Sequence, residues 1–303
     1  MFNKIVGIEN ILVSRQAEEE LHNFANSVIL HYDRPASDEE VIRRIGDADC
    51  VLVSFTTKIS RKVIDSCPNI RYIGMCCTLY SENSCNVDIA AAREKGIHVC
   101  GVRDYGDEGV AEYAVSELVR FLHGFGEDSW KRGRYELGGI TVGIVGLGTT
   151  GRLCAGAFRN FGSRVVYFSR TRKEDAEAQG IQYLPLDLLL KESDAVITTL
   201  PRNTILLKKE QFDIFGNGKI LMNTSIGPTF EVEALKEWLM NNPDSRYFCD
   251  GTGMGGLQKE LSGFSNVTYT PIVAGSSVQS TERLSRKVLD NIKAFLGSEM
   301  PDR

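Results

Sequence analysis

Short apolar runs separated by amphipathic stretches set the rhythm of this chain. Ile5–Gly7, Val28–His31, Cys50–Val53, Tyr72–Gly74 and His98–Cys100 read as strands. Between them Arg15–Phe24, Ser37–Ile45, Ser60–Ser66 and Val87–Lys95 carry helical spacing, and Ser37 with Glu40 three residues on predicts a capping box. Alternation of this kind builds a parallel sheet covered on both faces. Arg103–Gly109 is a polar, glycine-bearing joint, followed by a long helix over Gly109–Leu122 with Val110, Ala114, Leu118 and Phe121 along one face. A charged, glycine-rich stretch, Gly124–Gly139, leads to a second series of strands at Thr141–Val145, Arg164–Phe168, Ala195–Leu200, Ile220–Asn223, Arg246–Cys249 and Val267–Tyr269. Helices are predicted after Gly146 through Phe158, over Glu231–Met240, and from near Ser280 to the end.

Length and charge narrow the classes. The 303 residues exceed one typical domain, so two domains are expected. A net charge of −5 argues against a nucleic-acid partner. The opening MFNKIVGIEN lacks a leader's basic and apolar regions, and no apolar run reaches the roughly 18 residues of a membrane span. The eight cysteines are irregularly spaced and contain no CxxC pair, which favours a reducing, cytoplasmic compartment and no metal site. Only four histidines are present, at 22, 31, 98 and 123.

The strand Thr141–Val145 runs into Gly146-Leu147-Gly148-Thr149-Thr150-Gly151 and then a helix, the context a dinucleotide-binding turn requires. Gly146 permits the tight turn, Gly148 lets backbone approach a pyrophosphate at the helix N-terminus, and Gly151 allows close helix–strand packing. The next strand ends in Ser169-Arg170-Thr171-Arg172-Lys173, where NAD sites usually carry an acid for the ribose hydroxyls. A lost acid and gained cations favour NADP, with NAD still possible; Arg170 is best placed for a 2′-phosphate.

Together with Tyr72-Ile73-Gly74, Asn86-Val87-Asp88, Val110-Ala111-Glu112, Leu200-Pro201, Asn223-Thr224-Ser225, Asp250 and Thr270-Pro271-Ile272-Val273-Ala274-Gly275, the chain resembles the D-isomer-specific 2-hydroxyacid dehydrogenases, in their glycerate and glyoxylate–hydroxypyruvate reductase branch. The resemblance implies an α/β fold of two doubly wound parallel-sheet domains. A Rossmann NAD(P)-binding domain, residues 103–276, would be inserted in a discontinuous flavodoxin-like domain, residues 1–102 and 277–303, with the active cleft between. It also implies cofactor roles for Leu200, Pro201, Thr224, Ser225, Asp250, Ala274 and Gly275, beside Thr149, Thr150, Ser169 and Thr171 of the nucleotide turns. Asp250 matches the aspartate that bonds the nicotinamide carboxamide.

The chain departs from the family at the catalytic residues. The family's substrate-gripping arginine falls on Ile226, its histidine acid/base on Ile272, and the glutamate that orients the histidine most nearly on Gly255. None of the four histidines matches a family site. The loop after Gly74 runs longer than the family turn, making Cys76, Cys77, Thr78 and Tyr80 candidate pocket residues beside Ile226 and Ile272. Tyr80 and Ser225 are the candidate proton donors. Only 18 residues, 123–140, separate the hinge helix from the next strand, so the family's homodimer interface is expected to be reduced. Three readings stay open. One is an NADP-preferring oxidoreductase with a remodelled apolar pocket for a carbonyl, imine or activated alkene. Another is an NAD(P)-binding pseudoenzyme serving as sensor or assembly protein. The third is a 2-hydroxyacid dehydrogenase with substitute residues such as Arg103 or Arg202.

Overall fold

The computed structural model describes residues 1–126 and 128–298. The chain divides into two compact units, one built from Met1–Tyr105 and the segment that begins at Ser277, the other from Gly106–Ser276. Each is a doubly wound parallel sheet with helices on both faces.

In the first unit β1 (Phe2–Gly7), β2 (Ala25–Leu30), β3 (Cys50–Val53), β4 (Tyr72–Thr78) and β5 (His98–Val102) lie in the order β2-β1-β3-β4-β5, all parallel. Serine and aspartate side chains start the helices: Ser14, Ser37, Ser60 and Asp88 each accept a backbone N–H of the first turn. The expected capping box closes differently, because the Glu40 carboxylate takes the Ala36 N–H at 2.8 Å and leaves that of Ser37. The last helix, Val278–Ser298, buries Leu284, Val288, Leu289 and Ile292 against the sheet, with Phe295 stacked on Phe2 at 5.6 Å. β4 runs four residues past the expected Gly74, since a central strand buried on both faces reads as a continuous apolar run.

The second unit carries β6 (Thr141–Val145), β7 (Arg164–Phe168), β8 (Gln182–Tyr183), β9 (Ala195–Thr198), β10 (Ile220–Asn223), β11 (Arg246–Cys249) and β12 (Val267–Tyr269). Their order, β12-β11-β10-β9-β6-β7-β8, is parallel throughout and reverses between β6 and β9. Ligands of open parallel sheets bind beyond the carboxyl ends of the strands at such a reversal. The long helix Asp107–His123 packs on this sheet through Ala114, Leu118, Phe121 and Leu122. The two ends of the unit touch: a Cβ on Gly106 would lie 2.6 Å from the Gly275 carbonyl oxygen, and one on Gly109 would lie 2.4 Å from that of Ala274. Among the described residues no helix is long and apolar enough to cross a membrane.

Candidate functional site

The turn after β6 is built by glycine geometry. Gly146 adopts φ +101, and a Cβ there would stand 2.6 Å from the Thr199 carbonyl. Its N–H donates to the Phe168 carbonyl at 2.8 Å, and its carbonyl accepts the Thr199 hydroxyl at 2.6 Å. A Cβ on Gly151 would lie 2.1 Å from the Gly146 carbonyl, so the helix Thr149–Asn160 can sit this close only with glycine there. Gly148 differs: a Cβ would meet nothing within 4 Å. It is the N-cap of the helix, and no side chain caps the first turn. Backbone donors at a positive helix end beside open space fit a pyrophosphate. Thr150 brings only its backbone, because its hydroxyl donates to the Asp107 carboxylate.

At the end of β7 the Ser169 hydroxyl donates to the Thr171 carbonyl, closing the turn on itself. Arg172 is committed: its guanidinium pairs with Glu177 and lies over the Tyr183 ring at 5.1 Å. Arg170 is exposed and has no hydrogen bond or ion pair with any described residue. Lys173 supplies its N–H to the Tyr167 hydroxyl at 2.6 Å and starts the helix Glu174–Ala178.

The ends of β10, β11 and β12 form one tightly knit cluster. Asn223, fully buried, donates to the carbonyls of Gly227 and Gly253 at 3.0 and 3.1 Å. Its amide oxygen accepts the Ser225 N–H and the Thr198 hydroxyl. Asp250, also buried, caps the short helix Gly251–Met254 by accepting the Gly253 N–H at 2.7 Å, and its other oxygen holds the Ala274 N–H at 2.8 Å. The Gly251 N–H donates to the Ile272 carbonyl at 2.6 Å, and the Gly227 N–H to that of Thr252 at 3.0 Å. Ile226, Gly255 and Ile272 therefore converge on one cluster. Ile226 is half-buried, and Ile272 is 59% exposed. Gly255 is left-handed, φ +57, and a Cβ would press on Gly227 and Pro228 at 3.0 and 3.1 Å.

Ser225 does not stand as a free proton donor. Its hydroxyl donates to the Thr198 carbonyl at 3.1 Å and accepts the Leu200 N–H at 2.9 Å, so it pins the β9 and β10 turns together. Thr224, Leu200 and Pro201 are half-buried on these same turns.

Residues 114–274 match the model for "D-isomer specific 2-hydroxyacid dehydrogenase, NAD binding domain". The chain belongs to this family. Within it the chain is similar to the hydroxypyruvate reductase of Blautia hydrogenotrophica, with 28% identity over 88% of each chain. Among solved structures it resembles an acyclic imino acid reductase in complex with NADPH and D-Arg, at TM-score 0.83, 21% identity and 98% coverage of both chains. It also resembles the D-lactate dehydrogenase of Aquifex aeolicus with NAD and lactic acid, at TM-score 0.79, 20% identity and coverage of 98% and 96%. At those identities the structural likeness speaks for the fold. The second unit is thus the NAD(P)-binding Rossmann domain of a 2-hydroxyacid dehydrogenase relative, and the family's general function is oxidoreduction.

The first-unit candidates are dispersed. Cys76 is buried on the face of β4 under the C-terminal helix, with Phe2 and Leu52. Cys77 is buried on the opposite face, with Ile59 and Val87. Neither lines an open pocket: strand alternation sends them into separate cores, where burial pushes the Cys76 thiol up and leaves it inert. Thr78 ends the strand half-buried, and Tyr80 is 44% exposed with the Arg103 guanidinium over its ring at 5.3 Å. Arg103 is itself engaged with the Leu79 and Tyr80 carbonyls. His98 begins an edge strand, exposed and stacked on Tyr72 rather than buried.

Two organising residues carry no local sequence signal. Glu9, buried after β1, accepts from the N–H groups of Ser54 and Thr57 and from the Thr56 and Thr57 hydroxyls. Asp107 gathers the Thr150 hydroxyl from across the fold. The fit of a lone acid to distant donors is tertiary, so no periodicity or spacing announces it.

Proposed function

We propose that this 2-hydroxyacid dehydrogenase relative is an NADP(H)-preferring oxidoreductase whose substrate pocket has been rebuilt with apolar walls. The observation that carries it is the convergence of Ile226, Gly255 and Ile272 in a domain whose glycine turn suits a dinucleotide. Gly148, Thr149, Thr150 and Gly151 would hold the pyrophosphate through backbone N–H groups, with Gly146, whose N–H is taken by Phe168, shaping the turn. Leu200, Pro201, Thr224, Asp250, Ala274 and Gly275 would border the rest of the dinucleotide. A bound nicotinamide supplies or accepts hydride. Two isoleucines and a glycine offer neither a cation for a carboxylate nor a group that moves a proton at neutral pH. A carbonyl, imine or activated alkene with an apolar body suits such walls better than glyoxylate. The Tyr80 phenol is the proton donor in this scheme, since the Ser225 hydroxyl is occupied. The imino acid reductase neighbour, solved with NADPH, is in keeping with the cofactor.

NADP preference rests on Arg170, a cation with no ion pair among the described residues where NAD sites carry an acid, with Ser169, Thr171 and Lys173 beside it. Fluorescence titration tests it. NADPH should bind at least about tenfold more tightly than NADH, and Arg170→Ala should erase that difference while leaving NADH affinity within about twofold. Tighter NADH binding in the native protein would overturn the preference. We further propose a homodimer in a reducing, cytoplasmic setting, in line with eight free cysteines.

A second reading, a nucleotide-binding protein without turnover, draws on the engaged Ser225 hydroxyl, which removes one of two candidate donors. Hydride transfer from NADPH across a panel of ketones, imines and enones decides between them. Turnover by the native protein that falls at least about tenfold in Tyr80→Phe supports the enzyme. No transfer to any of them supports the binding protein.

A further inference from the structure

The loop between the helix Asp107–His123 and β6 holds a feature that the nucleotide site does not use. A concavity of about 250 Å³ is lined by His123, Gly124, Gly126, Asp128, Ser129, Arg132, Gly133 and Arg134. Its basic groups have no acidic partner among the described residues. Arg132 and Arg134 have no hydrogen bond, ion pair or other charged partner among the described residues. The one described acid on the wall, Asp128, is taken by Arg246 at 2.7 Å. The carbonyls of the preceding helix end are also occupied: Gly124, Phe125 and Tyr135 donate their N–H groups to Phe121, Arg120 and Leu122. The described residues of the wall therefore present donors and positive charge, on a chain whose net charge is −5.

The backbone is bent to make this wall. Lys131 and Arg132 are consecutive non-glycine residues in the left-handed region, at φ +48 and +55. Such a pair is strained and persists only where the surroundings over-determine it. Here the buried Trp130 indole donates to the Gly218 carbonyl at 2.9 Å, and the Lys131 ammonium lies 3.8 Å from the Trp130 ring centre.

We propose that this concavity is a binding site for a small phosphate-type oxyanion, either free phosphate or the phosphoryl group of a metabolite. Two guanidinium forks match a tetrahedral oxyanion bidentately, and Ser129 and His123 can complete its hydrogen bonds. It is separate from the pyrophosphate turn at Gly146–Gly151.

Isothermal titration calorimetry on the full chain tests this with inorganic phosphate, comparing the native protein with the Arg132→Gln/Arg134→Gln variant. Phosphate taken up at the glycine turn would be common to both, so the difference isolates this site. Affinity should fall at least about tenfold, with NADPH titration unchanged. Arg134→Glu alone, at an exposed position outside the left-handed pair, should give the same loss. Glycerol 2-phosphate separates the two sources: tighter binding than phosphate assigns a phosphorylated metabolite, equal or weaker binding assigns the free ion. Equal phosphate affinity in all three proteins, or no uptake by the native protein at about 10 mM, would overturn the proposal. So would a change of oligomeric state in the variants with phosphate binding intact, which would make the cations an interface between copies.

Discussion

Two regions at the strand ends of the same sheet are built in opposite ways. After β6, the backbone around Gly146 and Gly151 is crowded, yet Gly148 faces open space. After β10 and β11, the space is filled by the protein itself: a Cβ on Gly253 would lie 2.0 Å from the Asn223 carbonyl, and Gly255 abuts Gly227 and Pro228. The first turn is shaped around something absent from the chain. The second is shaped around its own neighbour. The difference bears on the proposed loss of the family's acid/base residues. At Gly255, where the resemblance would put the glutamate, the backbone is left-handed and packed against Gly227 and Pro228.

The largest expected effect breaks the packed turn. Gly253→Ala forces a Cβ onto a carbonyl of the Asn223 network and should cost more than about 3 kcal/mol, read by urea unfolding. Next comes the contrast inside the glycine turn. Gly151→Ala should lose both stability and NADPH binding, through its 2.1 Å approach to Gly146. Gly148→Ala should unfold within about 0.5 kcal/mol of the native protein yet bind NADPH at least about tenfold more weakly, because only the ligand would meet the new methyl. Equal losses in the two variants would remove the distinction between a ligand-shaped and a self-packed glycine. Third, Ile226→Arg, Gly255→Glu and Ile272→His together should not yield glyoxylate reduction above about 1 s⁻¹, while Gly255→Glu alone costs about 1–2 kcal/mol from its left-handed backbone. Fast turnover by the triple variant would mean side chains alone separate this chain from its relatives.

The smallest effect lies on the flank of the packed turn. Tyr113 points its hydroxyl at Thr270, 3.5 Å away, and one helical turn on, Glu117 is half-buried, with its carboxyl raised above the ordinary 4.5 by desolvation. A raised carboxyl disfavours the charged form in the folded state. The contribution of Glu117 to stability is therefore most favourable below pH 4.5 and declines as pH rises through the raised value. Glu117→Gln should stabilise by less than about 1 kcal/mol at pH 7, given solvent screening, and by nothing near pH 4, as urea melts at the two pH values would show.

Much of this was legible in the chain. The strands at Thr141–Val145, Arg164–Phe168 and Ile220–Asn223 stand where apolar runs bounded by turn residues place them. β4 extends past the expected end at Gly74, because in Gly74-Met75-Cys76-Cys77 the thiols are the small apolar residues of a buried strand and not the start of a turn. β8, two residues long and half-exposed, has too little pattern to read. In the site, glycine roles follow from local geometry and could be read from spacing. The hydroxyls of Thr150 and Ser225 could not, because their partners, Asp107 and Thr198, arrive from other elements.

The contact between Gly106 and Gly275 has a consequence for inheritance. A segment whose two ends touch can be lifted out or exchanged without tearing the host that carries it, which is why insertions tolerate such geometry. Modules joined this way need not change at the same pace. A chimera bearing a relative's Gly106–Ser276 equivalent should therefore be buildable in the laboratory.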